Sequence, residues 1–300
     1  MKYSVVLPVG LGVLGEPAEV LRIARHAETL GFESVSAVEH AVVVSDTDSR
    51  YPYAPDGRLP LPNDLPYPDP LELLAFLAAG TERLGLSTGV LVLPNHNPFV
   101  LAKRLATLDR LSGGRLRICA GLGWMREEIE ACGGDFARRG RAADESIRLM
   151  RELWASTSPE GLSFRGEFHT VEGAHSYPKP HAGRAVPLHI GGHSPAAARR
   201  AGRLGDGFQP LGLAGDELTA ALTLVRESAR AAEREPGDVE LTLGATLPRA
   251  ADGAEWAESM GADRLVLSGS RRATSLDAFL EEMADCSAKL GLSFRHMPEA

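Results

Sequence analysis

Apolar and polar positions along the chain repeat in one order: a short apolar run, a polar or glycine break, then an amphipathic stretch. The segment from Leu86 to Gly123 shows it most fully. Leu86 to Leu93 is apolar and β-branched, stops at Pro94, and predicts a buried strand. Asn95, His96 and Asn97 form a polar loop, and Pro98 suits the first turn of a helix. Val100, Leu101, Leu105, Leu108 and Leu111 recur at helical spacing and predict one apolar helix face. Gly113 and Gly114 end that helix. Arg115 to Ala120 reads as the next strand and runs into Gly121-Leu122-Gly123. Buried strands joined by a helix imply a parallel sheet, and such sheets hold their chemistry where strands end.

A helix end, a glycine and an apolar run recur at Leu30-Gly31, Leu84-Gly85, Leu204-Gly205 and Met260-Gly261. Each predicts a helix closed by a left-handed glycine and returning to the sheet. The predicted strands are Tyr3–Leu7, Ser34–Val38, Leu86–Leu93, Arg115–Ala120, Val186–Ile190, Gly207–Leu211, Val239–Ala245 and Arg264–Ser268. Eight strands alternating with helices favour an α/β fold of the (β/α)8 TIM-barrel type over a doubly wound sheet. No GxGxxG follows the first strand, which agrees.

Two segments exceed a minimal barrel. Ser45 to Pro70 is rich in Pro and Asp, carries three tyrosines and predicts a packed lid after the second strand. Ser158 to Arg184 contains SFRGEFHTVEG, which alternates like a hairpin with Gly166 near its turn. It follows helices between Met125 and Trp154. Both read as insertions near 45–70 and 158–184 within one domain spanning 1–300.

Composition narrows the classes. At 300 residues, 44% hydrophobic and 24% charged, the chain can bury a large core. A net charge of −8 disfavours a nucleic-acid partner. The arginine pairs 138–139, 199–200 and 271–272 read as solvated faces. Cys119, Cys132 and Cys286 show no metal or disulfide spacing. No apolar run approaches a membrane span and Met1 leads straight into a strand, so a cytoplasmic protein without membrane contact is expected.

Glu39 and His40 close the second strand at the rim where barrel catalysis is expected. A carboxylate beside an imidazole suits proton transfer near neutral pH, though the same pair can simply cap a loop. Gly191-Gly192-His193-Ser194-Pro195 follows the fifth strand and opens a helix. Ser194 suits the N-cap and Pro195 the first turn, and the glycines let an anion approach the amides. An ordinary capped turn would need no double glycine, so a phosphate site is favoured. His189 and His193 lack helical ligand geometry, so no metal is expected. Trp124 either stacks on an aromatic cofactor or locks a helix to the rim. No GxSxG supports acyl transfer.

The run from Val90 to Trp154, VLVLPNHNPFVLAKRLATLDRLSGGRLRICAGLGWMREEIEACGGDFARRGRAADESIRLMRELW, closely resembles the luciferase-like monooxygenase superfamily. FRGEFHTVEG, YPKP and PLHIGGHSPAAARRAGRLGDGF continue the match, as do VEH and DPLELLAF. The tyrosine-bearing SRYPYAPDGRLPLP resembles a subgroup of coenzyme F420-dependent oxidoreductases. The resemblance implies a barrel holding the deazaflavin, or alternatively FMN, in its mouth. It implies that Glu39 and His40 meet the ring and the reacting centre, and that Thr88, Gly89 and Val90 form a bulge beneath the ring. Gly121, Leu122 and Gly123 would lie beside the cofactor, and Gly191, Gly192, His193 and Ser194 at its phosphate. Asn95 and Asn97 fall in the following loop. Deazaflavin members usually carry Asp where this chain has Glu39, a departure that keeps FMN in view.

The expected activity is hydride transfer between coenzyme F420 and an organic C=C, C=N or C=O group of a small-molecule or peptide substrate. The alternative is an FMN-dependent monooxygenase supplied by a separate reductase. A non-catalytic flavin-binding protein is a third reading. The superfamily also implies a homodimer.

Overall fold

The computed structural model describes residues 1–45 and 47–293. In chain order the strands and helices are β1 (Lys2–Val6), α1 (Pro17–Thr29), β2 (Ser34–Ala37), α2 (Pro70–Gly80), β3 (Gly85–Thr88), β4 (Leu91–Val92) and α3 (Pro98–Leu111). Then come β5 (Leu116–Gly121), α4 (Arg126–Ala131), α5 (Arg139–Ala155), β6 (Leu162–Arg165), β7 (Thr170–Ala174), β8 (Leu188–Gly191) and α6 (Pro195–Leu204). The chain continues through β9 (Gly207–Gln209), α7 (Gly215–Ala231), β10 (Glu240–Thr246), α8 (Ala250–Ser259), β11 (Arg264–Ser268) and α9 (Leu276–Leu290).

The strands close into a parallel barrel. The order is β3-β2-β1-β11-β10-β9-β8-β5, and β3 pairs with β5 to complete the ring, with β4 beside β5. The predicted TIM-barrel architecture is therefore present. β6 and β7 form a separate antiparallel hairpin, as their alternation predicts. Its turn hangs on Glu145 of α5, whose carboxylate accepts from the backbone N–H of Glu167, Phe168 and His169 at 2.6–2.9 Å.

Several helices start on the signals in the sequence. Asp69 caps α2, Asn97 caps α3 and Ser194 caps α6, each followed by proline in the first turn. Register sorts the strand residues into two sets, because laterally aligned residues share a face. Val5 aligns with Val35 and Leu267, and Leu243 with Leu265; these are apolar and buried. That set faces the helices, since Ala245, of the same parity, meets Gly253 of α8. The other set faces inward and is polar: Ser4 aligns with Ser34, Thr242 with Arg264, and Ser87 with Arg117. Arg264 is ion-paired with Glu33 and Glu240 at the barrel floor. Burial and the nearby Arg117 push the His189 imidazole down to about 3, so it stays neutral.

Four local expectations are corrected. Leu86–Leu93 is two strands, broken at a cis Gly89–Val90 peptide. The apolar run carries no signal for that break beyond Gly89. Gly31 and Gly261 adopt φ of 84° and 75° as expected, but Gly205 sits at −86°. Glycine is needed at 205 for space, because a Cβ there would lie 2.8–3.0 Å from the backbone of Gly207 and Ala201. Gly85 also lacks a positive φ and is crowded by Glu33 and Ser34. On α3, Val100 and Leu111 are exposed at 58% and 75%; the inward face is Leu101, Ala102, Leu105, Ala106, Leu108 and Asp109. Arg200 is buried, not solvated, because it is ion-paired with Asp144 and donates to the Gly140 carbonyl.

Candidate active site

All the sequence-selected residues lie at the C-terminal ends of barrel strands. Glu39 and His40 follow β2, Thr88 to Val90 end β3, Gly121 to Gly123 end β5, and Gly191 to Ser194 follow β8. Val90 ties three of these ends together. A Cβ on Gly121 would come 2.7 Å from its Cγ2, and one on Gly191 would come 2.5 Å from its Cγ1. Both glycines are thus required by the side chain packed on them. Gly89 is similarly confined, with Ser36 Oγ 2.5 Å from where a Cβ would stand.

Two carboxylate–imidazole pairs interlock at this rim. Glu39 is buried; one oxygen accepts from the Val92 backbone N–H and the other lies 2.6 Å from His96 Nε2. His40 Nδ1 lies 3.0 Å from Glu128 Oε2. The other oxygen of Glu128 accepts from the Ala41 N–H at 2.6 Å and from Asn95 Nδ2 at 3.3 Å. With Nδ1 engaged by Glu128, Nε2 is the ring nitrogen left for a ligand. Glu39 is therefore turned toward His96 and the β4 backbone, not presented free. Thr88 is also fully buried, and its hydroxyl exchanges hydrogen bonds with the backbone of Cys119.

The lid packs over the rim through its aromatics. Tyr67 meets the His40 ring edge-on at 5.3 Å, and Trp124 meets it at 6.1 Å. Tyr51 packs on Trp124 and Tyr53, and Tyr53 reaches the far side, with its hydroxyl 3.2 Å from His193 Nδ1. Tyr53 is 41% exposed as a residue; the partial burial of its ring, with Tyr51 and Cys119 nearby, raises the phenol to about 12. Trp124 thus joins the rim to the lid, a contact that neither of its two expected roles named. The lid's start is fixed by Glu127, whose carboxylate accepts from the Ser49 hydroxyl and the Asp48 N–H.

Beside this wall lies a cavity of about 700 Å³, within the range of small-molecule sites. Of the sequence-selected residues only Gly89 lines it. Its other walls come from β1, β9, β10 and β11, from the 210–214 segment and from α8. Those residues carried no chemical signal in the sequence, being mostly small or aliphatic. Glu128 was missed because nothing distinguishes it from Glu127 until the fold is formed. His96 was visible only as one of three polar loop residues.

The profile of the luciferase-like monooxygenase family matches residues 1–286, nearly the whole barrel. The chain belongs to the luciferase-like monooxygenase family. Like the family's dehydrogenases it is an enzyme of the oxidoreductase class. A relative in this group, an uncharacterized protein of Mycobacterium tuberculosis, is 34% identical over 204 residues, covering 68% of this chain and 69% of that protein. An F420-dependent glucose-6-phosphate dehydrogenase of Amycolatopsis mediterranei is 31% identical over 233 residues, 76% of this chain and 64% of that one. Among solved structures, an F420-dependent secondary alcohol dehydrogenase in complex with an F420-acetone adduct superposes with a TM-score of 0.73. It is 18% identical, with 94% of this chain and 98% of that chain covered. Among the described residues of this luciferase-like chain no helix is long and apolar enough to cross a membrane.

Proposed function

We propose that the protein is a coenzyme F420-dependent oxidoreductase that transfers hydride between the deazaflavin and a C=C, C=N or C=O group of a small organic substrate. One observation carries the reading: a rim imidazole, His40, held at Nδ1 by the buried Glu128, which leaves Nε2 as its free ring nitrogen at the C-terminal end of the barrel. Resemblance to F420-dependent dehydrogenases supports the choice of cofactor. The residues fit such a group. The capped N-terminus of α6 at Ser194 suits its phosphate, and Gly121 and Gly191 seat the Val90 side chain, which fixes the Gly89–Val90 bulge at the rim.

The deazaflavin, when bound, supplies or accepts the hydride. The chain's own work is orientation and a proton. A carbonyl that gains hydride requires one proton at oxygen, which His40 gives from Nε2; in the oxidising direction Nε2 takes it from the alcohol. Glu128 keeps the imidazole in register. Glu39 and His96 hold the β4 backbone that follows the Gly89–Val90 bulge, and Gly192, His193 and Ser194 would hold the cofactor phosphate. Tyr51 and the exposed Tyr53 lie over the rim, Tyr53 reaching His193.

FMN is the second reading, favoured by Glu39 in the place where deazaflavin members usually have Asp. There the protein would act as a monooxygenase with reduced FMN from a separate reductase. Fluorescence titration with the deazaflavin, FMN and reduced FMN decides between them. Saturable deazaflavin binding tighter than that of FMN is expected, and FMN binding without deazaflavin binding would reverse the assignment. We also assign one domain over 1–300, of which 46 and 294–300 lie outside the described residues, and a homodimer, with Phe76 of α2 and Val100 and Leu111 of α3 as exposed apolar surface. A monomeric mass by light scattering would refute the dimer.

A further inference from the structure

β9 and β10 part above their second aligned pair. Their ladder holds only Gly207 with Glu240 and Phe208 with Leu241. On its other side β10 stays aligned with β11 as far as Thr246 and Ser268, and β9 with β8 as far as Gln209 and Gly191. The upper half of β10 therefore lacks a neighbour on one edge, and the 700 Å³ cavity runs through the gap. Its inner lobe is bounded by Val6, Gly89, Gln209 and Ser268, and its outer lobe by Leu211, Leu213, Leu243, Ala245 and Trp256.

The walls of the outer lobe are aliphatic and aromatic. Among the described residues lining the cavity, the only charged ones are Arg249 and Asp252, both on its outer rim. Their side chains are 77% and 76% exposed and face each other at 3.7 Å. A phosphate dianion needs donors committed to it, and one solvated guanidinium already facing a carboxylate supplies too few. An uncharged chain or ring, by contrast, gains from leaving water for these walls.

We propose that the parted β9–β10 seam is the channel for the uncharged, apolar part of the substrate. A neutral alcohol, ketone or enone lies through the gap with its reacting carbon in the inner lobe beside Gly89. The enzyme then acts on neutral apolar compounds and not on sugar phosphates, unlike the activity for which its dehydrogenase relatives are named. This inference rests on reading the Gly89 end of the mouth as the ring site.

Prodan, a neutral naphthyl ketone whose emission shifts to the blue in apolar surroundings, tests it. The full-length protein should bind prodan saturably, and millimolar glucose 6-phosphate should not displace it. Leu213→Asp, on the irregular segment before α7, places a carboxylate in the outer lobe; Ala245→Phe fills the gap from β10. Each should weaken prodan binding by about ten-fold or more while deazaflavin affinity stays within about two-fold. A circular-dichroism melt identifies a variant that has failed to fold, and the other then carries the comparison. Absence of saturable prodan binding by the folded wild type would overturn the channel. So would indifference to the substitution in a folded variant, or displacement by glucose 6-phosphate. Loss of deazaflavin binding with prodan binding intact would overturn the cofactor assignment and leave the channel standing.

Discussion

Glu128 Oε2 lies 3.0 Å from His40 Nδ1 across eighty-eight positions of sequence, joining the end of β2 to the short helix after β5. The side chain of Glu128 is 2% exposed and that of His40 12%. A carboxylate so placed fixes both the orientation and the tautomer of the ring, leaving Nε2 as the atom that exchanges a proton with substrate.

His40→Ala should slow turnover by about 10² to 10⁴ while deazaflavin affinity changes little, as for loss of a general acid or base. Glu128→Gln should lower kcat by less, since the ring survives and only its alignment suffers. Steady-state kinetics with a neutral ketone, beside a cofactor titration, measures both. Near-normal turnover in His40→Ala would move the proton source to His96 or Tyr53.

Glu39→Ala should weaken cofactor binding and lower the melting temperature. It strands the half-buried His96 ring and the buried Val92 N–H, a loss of about 1–3 kcal/mol for a fully buried unsatisfied group and less for the ring. Denaturant unfolding checks the stability and fluorescence titration the affinity. An unchanged value of both would mean that neither partner depends on Glu39.

The lid's attachment should be acid-labile. Hydroxyl donation by Thr47 and Ser49, with backbone N–H groups, lowers the Glu127 carboxyl from 4.5 to about 2. A folded-state value below the unfolded one favours the docked form above pH 4.5, and that advantage fades as pH falls toward 2. Trp124 emission, sensitive to Tyr51 packing, should report an acid step in this window. Glu127→Gln should remove the step.

One thiol of three should react readily with a disulfide reagent in the native protein. Cys132 is exposed, whereas Cys119 and Cys286 are buried and their thiols are pushed up to about 12 by that burial. Counting modified residues by mass spectrometry before and after denaturation tests this.

The barrel was legible because strand runs and caps are local. Val5, Val35 and Leu267 announce buried strands without knowledge of their neighbours, and Asn97-Pro98 and Ser194-Pro195 mark helix starts. The rim positions of Glu39 and His40 followed from that. Their partners did not, because His96 and Glu128 reach them only through folding, and two adjacent glutamates look alike in a sequence. Helical spacing misassigned Val100 and Leu111 because small residues, Ala102 and Ala106, let α3 pack closely on another face. The cavity was invisible for a related reason. It arises where a ladder stops, and unmade backbone pairs leave no mark in residue type.

Glu127 and Glu128 stand side by side on α4, a helix of six residues. The first holds the lid at Ser49 and the second holds the imidazole at His40. Cover and proton carrier thus share one hinge-pin, so a tilt of α4 displaces both together.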